Sequence, residues 1–171
     1  MKAQLSIEYL VAFSLFISLI GYIYLQYTRN IPYFVEEVKK EDIRATAFQI
    51  SELLINDYGE PENWDTLAID QIKRIGLSDN VARQGNFISK NKIDRLKNEC
   101  TQFSNIQKWT GFNKPFSILV FEINQNDGSR TPLITDCRSP QTVIEALNAT
   151  VKRYAAYSDG DVKIAEIIIQ V

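Results

Sequence analysis

"MKAQLSIEYLVAFSLFISLIGYIYLQYTRN" (residues 1–30) carries no charged side chain between Tyr9 and Thr28. About 20 apolar residues at 1.5 Å rise match a hydrocarbon core near 30 Å, so the run predicts a transmembrane helix. A cleavable secretory signal has a shorter apolar core, roughly 7 to 15 residues, followed by a small-residue cleavage site. Here the run continues through Tyr22, Ile23, Tyr24 and Leu25. Hydropathy alone is satisfied by an ordinary single-span anchor. Ser14, Ser18 and Gly21, with Ala12 nearby, are spaced like a small-xxx-small seam where helices approach closely in an apolar medium. Tyr22, Tyr24 and Tyr27 crowd the distal end with rings that suit a membrane interface or the core of a helix assembly.

Composition narrows the function classes. The chain has 171 residues, room for one soluble domain beyond the apolar run. Nineteen Lys and Arg are scattered among 21 Asp and Glu, leaving no basic footprint for nucleic acid. Histidine is absent, which removes the commonest general base, the usual zinc ligand and every Ser-His or Cys-His pair. Acid pairs such as Glu36-Glu37 lack a partner motif, and no Gly-rich loop precedes a helix. The "DGD" at 159–161 lacks the further spaced oxygens of a calcium loop. The sequence therefore predicts no enzyme, cofactor or metal site.

Glu8 sits in the first turn of the apolar run. At mid-membrane such an acid costs about 2.5 to 3.5 kcal/mol, although near one end it reaches the headgroups. Its surroundings give it meaning: Lys2, Ala3, then Gln4, Ser6 and Glu8 in the pattern Q-x-S-x-E, directly followed by the helix. This arrangement resembles the class III signal peptide of archaeal type IV pilin-like proteins. The resemblance implies that a prepilin peptidase cuts between Ala3 and Gln4, ahead of the apolar run, so the helix stays in the mature protein. It also implies that Glu8 pairs with the α-amino group of a neighbouring subunit. The chemistry is coherent. A new amine on Gln4 has a reference pKa near 7.7 to 8.0 and is largely cationic at neutral pH. A carboxylate one turn on complements that amine and the helix dipole. Misregistered packing would leave a charge unpaired in an apolar core.

Past Pro32, which is expected to kink or interrupt the helix, "YFVEEVKKEDIRATAFQISELLINDYG" (33–59) resumes a helical pattern. Phe34, Val35, Val38, Ala45, Phe48, Ile50, Leu53 and Leu54 approximate the apolar stripe, and Gly59 with Pro61 ends it. A helix from about Gln4 to Tyr58 extends on the order of 80 Å, so its distal part is expected to pack on a soluble head. Two shorter helices are predicted, over Thr66 to Arg74 and after a Ser89 cap through Ile93, Leu96, Cys100, Phe103 and Ile106. Trp64 and Trp109 read as core. The last third is β-rich: "PFSILVFEIN" (115–124), a turn at "QNDGSRTP" (125–132), then "LITDC" (133–137). "ATVKRYAAYS" (149–158) and "VKIAEIIIQV" (162–171) form a hairpin with Asp159 and Gly160 at its tip. Ser139 to Asn148 reads as a helix with Pro140 at its first position.

Cys100 and Cys137 are too few for a metal cluster and too far apart for a C-x-x-C pair. They are a candidate disulfide, worth about 4 kcal/mol in the chain-entropy model, the other reading being two buried thiols. Asn148 opens the one N-x-T sequon, a candidate glycosylation site.

The expected fold is α+β: a long N-terminal hydrophobic helix, the stalk, packed against a head with an antiparallel sheet. The expected segments are 1–3 leader, 4–30 membrane or filament-core helix and 31–171 head. The resemblance implies a pilin, with a lean toward a minor or accessory one. Its partners would be a prepilin peptidase, other pilin subunits and, indirectly, an assembly ATPase and a platform membrane protein. The precursor would lie in the cell membrane with its head outside, and the mature protein in a surface filament, for adhesion or another task. The alternative is a single-span, membrane-anchored surface binding protein that does not polymerise.

Overall fold

A computed structural model of the chain describes residues 2–79, 86–140 and 149–171, with side chains from residue 7 onward. The chain forms two units, Met1–Glu41 and Asp42–Val171, each described by itself. Helix α1 (Lys2–Asn56) supplies the whole of the first unit and the opening turns of the second.

In the first unit α1 passes through Pro32 without interruption, against expectation. Proline removes only its own donor, the one that would reach the Thr28 carbonyl. In the preceding turn the Thr28 hydroxyl donates to the carbonyls of Tyr24 at 3.1 Å and Leu25 at 3.0 Å.

In the second unit α1 buries Ala47, Ile50, Leu54 and Ile55, with Thr46 and Ser51 beside them. This stripe is rotated from the expected one. Ala45 and Phe48 are exposed, because burying Ile50 and Leu54 at a 3.6-residue period selects 46 and 47 instead of 45 and 48; in the first unit Phe34, Val35 and Val38 are exposed as well. The Phe48 ring is covered from outside by the Arg153 guanidinium, 4.6 Å from its centroid.

The predicted helix over 66–74 is replaced by two 3-10 turns, Trp64–Thr66 and Ile69–Gln71. Extended backbone at Leu67 and Ile72 separates them from their surroundings, and the Lys73 and Arg74 amides donate to the Glu60 carbonyl. Ile72, Ile75 and Leu77 thereby enter the core from extended chain. The Trp64 indole donates to the Gly76 carbonyl at 2.8 Å. A Cβ at Gly76 would stand 2.0 Å from the Asp57 carbonyl oxygen, so this crossing admits only glycine.

The next helical stretch is broken in two: α2 (Lys90–Glu99), a 3-10 turn at Cys100–Gln102, and α3 (Phe103–Thr110) closed by Gly111 at φ 77°. Ser89 occupies the N-cap position, yet its side chain makes no capping hydrogen bond. Ile93, Leu96, Phe103, Ile106, Trp64 and Trp109 are all core.

Among the described residues, five strands form one sheet: β1 (Phe87–Ile88), β2 (Ser117–Ile123), β3 (Arg130–Arg138), β4 (Thr150–Asp159) and β5 (Asp161–Gln170). Their order is β1-β4-β5-β2-β3. All neighbours run antiparallel except β1 and β4, which are parallel, so the sheet is mixed and not purely antiparallel. The β4–β5 hairpin turns at Gly160, φ 83°, as the Asp-Gly pair predicts. β3 begins three residues earlier than "LITDC" and carries Pro132 on the sheet edge, where no donor is needed. The face bearing Ile118, Val120, Ala165, Ile167 and Ile169 shares one core with α1, α2 and α3. The chain is thus α+β, with a long apolar N-terminal helix and a five-stranded mixed sheet. Residues 141–148 of the expected helix, including Asn148, lie outside the described residues.

Candidate functional site: an exposed apolar helix and the head that follows it

Lys2, Ala3 and Gln4 are the first helical residues of α1, so the proposed processing segment runs into the helix without a break. Glu8 lies one turn beyond Gln4 and is exposed. Behind it, large apolar side chains cover the helix on every side; Tyr9, Leu15, Tyr22 and Tyr33 are each more than three-fifths exposed. An 18-residue window of α1 reaches a mean hydropathy of 1.8 with none of it buried, enough by length and composition to cross a membrane. Tyr9 and Phe13 stack one turn apart, centroids 6.2 Å apart.

Ser14, Ser18 and Gly21 keep the predicted spacing. The Ser18 hydroxyl donates to the Ser14 carbonyl at 2.8 Å, which satisfies its polar group inside the helix. Nothing lies within 4 Å of where a Gly21 Cβ would be, so the surface there is a shallow depression open to a neighbour. Further along, Lys40 pairs with Glu36 at 2.8 Å and holds its carboxyl below the usual range by hydrogen bonding and charge.

In the head, the Sγ atoms of Cys100 and Cys137 are joined as a disulfide, tying the break between α2 and α3 to the edge strand β3. Two polar clusters escaped the sequence reading. Lys92 is buried, and its ammonium donates to the carbonyls of Tyr58 at 2.7 Å and Ser78 at 2.9 Å. Burial holds its pKa below the usual lysine value, against the opposing pull of Asp65, Asp79, Glu62 and Asp57. On the sheet's other face, Glu166 is 0 % exposed. Arg130 Nε lies 3.0 Å from Oε2 and its terminal nitrogen donates to Oε1 at 3.1 Å, while the Tyr154 hydroxyl donates to Oε1 at 3.2 Å. The signal for this cluster was an acid set inside the apolar run "IAEIII" (164–169). At the hairpin end, Tyr157 donates to Glu122. Burial first, and then this hydrogen bond, raise the phenol above its ordinary pKa.

Comparison of the chain with protein-family models, with curated proteins and with solved structures gave no match.

Proposed function

We propose that this chain is a structural subunit, of the minor or accessory kind, of a type IV pilus-like filament on the archaeal cell surface. The observation that carries this reading is the extent of unpartnered apolar helix directly behind Q-x-S-x-E. Tyr9 to Thr28 already fills a hydrocarbon core of about 30 Å. Beyond Arg29, however, Tyr33, Phe34, Val35 and Val38 remain exposed. A single-span anchor leaves that surplus in water, whereas a bundle of like helices has no such limit on length.

In this account the precursor waits in the membrane with its head outside, where a disulfide between Cys100 and Cys137 is at home. A prepilin peptidase cuts between Ala3 and Gln4. The new amine and Glu8 then set axial register as helices gather along Ser14, Ser18 and Gly21, while an assembly ATPase and a platform membrane protein drive extraction. The role is structural and not catalytic.

Glu8→Ala tests the register role. Expressed in an archaeal host with the assembly machinery, the variant is expected to be cleaved normally and to stay in membranes, absent from sheared surface filaments. Normal incorporation of cleaved Glu8→Ala would remove the role assigned to this carboxylate.

A further inference from the structure

The apolar part of α1 is longer than one membrane crossing, so length alone leaves its depth open. From Tyr9 to Val38 the helix extends about 44 Å, with exposed apolar side chains at both ends, against about 30 Å of hydrocarbon. Two features one turn apart select the stretch that lies in lipid. Arg29 is the first charge after Glu8, and Asn30 follows it, both exposed. The nearest acid along the chain, Glu36, is paired with Lys40 instead. Pro32 then lacks the amide that would reach the Thr28 carbonyl. A threonine hydroxyl often mends such a gap, but that of Thr28 donates to the carbonyls of Tyr24 and Leu25. A carbonyl without its helical donor is costly in hydrocarbon and is readily hydrated among headgroups.

The pattern of the helix changes at the same level. Before it, apolar side chains surround α1; after it, Ile31, Phe34, Val35 and Val38 recur at i, i+3, i+4 and i+7 as one stripe, with the Glu36–Lys40 pair on the far side. From Glu8 to Arg29 the helix rises about 31 Å, one hydrocarbon thickness.

Resting on the membrane-held precursor of the reading above, we propose that Arg29 and Pro32 form a depth stop at the outer headgroup layer. The Arg29 guanidinium engages lipid phosphate, the donor-less Thr28 carbonyl takes water, and the stripe from Ile31 to Val38 is kept out of the hydrocarbon. Glu8 then marks the inner edge, and the bond between Ala3 and Gln4 lies about 7 Å beyond it, within the inner headgroup layer. Without the stop the stripe enters the lipid, and the helix slides by up to about 15 Å, carrying that bond out into the cytoplasm.

Both cysteines are bonded to each other, so an introduced thiol reports alone. Leu25→Cys and Val35→Cys, each carrying a nitrobenzoxadiazole probe on the uncut full-length protein, are placed in vesicles of phosphatidylcholine and phosphatidylglycerol with lipids brominated on their acyl chains. Bromine quenches only a probe that touches acyl chains, so a protein neighbour does not mimic lipid. The Leu25 probe is expected to be quenched about fivefold more than the Val35 probe, as for sites on opposite sides of the hydrocarbon edge. In Arg29→Leu with Pro32→Ala the Val35 probe is expected to rise to the Leu25 level, whereas Arg29→Lys keeps the parent pattern. Equal quenching at both sites in the parent would overturn the stop, as would a Val35 probe unchanged in the double variant. A parent chain with the expected quenching that is never cut in an archaeal host with the assembly machinery would remove the filament reading and leave the depth stop in place.

Discussion

Replacing Arg130 by Met isolates the most unusual electrostatic feature of the head. Glu166 is fully buried, and its carboxylate depends on two contacts from Arg130 and one hydrogen bond from Tyr154. Removing one partner of a buried ion pair costs about 3 to 5 kcal/mol, mostly for the charge left behind. The Arg130 side chain is 51 % exposed, so water takes over part of its role, which brings the expected loss to about 2 kcal/mol. Trp64 and Trp109, both buried in the same unit, report unfolding by fluorescence in the full-length, detergent-solubilised protein. With a urea dependence of about 2 kcal/mol per molar, Arg130→Met is expected to lower the midpoint by about 1 M. Adding Glu166→Leu removes the stranded charge and is expected to restore the midpoint to within about 0.3 M, since well-packed apolar replacements of buried pairs are often neutral. A single variant as stable as the parent would refute the reasoning, as would a double variant weaker than the single one.

Other perturbations probe separate parts of the head. Cys100→Ser with Cys137→Ser frees a loop with a sequence separation of 37, and a loss of about 4 kcal/mol is expected in the same urea assay; an unchanged midpoint under non-reducing conditions would mean that the bond contributes nothing. Gly76→Ala drives a Cβ into the Asp57 backbone and is expected to cost about 3 kcal/mol or to abolish folding. Gly111→Ala meets no neighbour, and its positive φ should cost only about 1 kcal/mol, so equal effects on yield and midpoint would contradict the assigned crossing. Lys92 has a folded-state pKa below 10.5; between the two values the unfolded chain holds more protons, and stability from this group rises with pH. Tyr157, raised by burial, acts oppositely above pH 10, so the test is the difference between parent and Lys92→Met, which should lose the upward alkaline component. Parallel pH profiles would discount it.

The sequence revealed what local pattern determines and missed what only packing determines. Helix α1 and the β4–β5 hairpin were legible because a long uncharged run and an Asp-Gly pair between two β-rich segments admit few other structures. The phase of the α1 stripe was not, since Ala45 with Phe48 and Ala47 with Ile50 fit one helical period equally well; the choice depends on the sheet beneath. β1 has two residues and pairs in parallel with a strand far along the chain, so it carries no periodic signature. The 3-10 turns between Trp64 and Gln71 replaced a helix because the Glu60 carbonyl captures the amides of Lys73 and Arg74, a contact invisible in composition. Of the candidate site, the apolar helix was readable from residue order alone. Glu166 was passed over because its partners Arg130 and Tyr154 lie on other strands.

A filament subunit that packs through its apolar helix has first to be cleaved ahead of that helix. Mass spectrometry of the intact protein and its N-terminal peptide, on membranes and on sheared surface material from an archaeal host with the assembly machinery, addresses that cleavage most directly. The account predicts a mature chain starting at Gln4 in the sheared filaments. A chain still carrying Lys2 and Ala3, confined to membranes, would contradict it and leave a surface domain on a plain anchor.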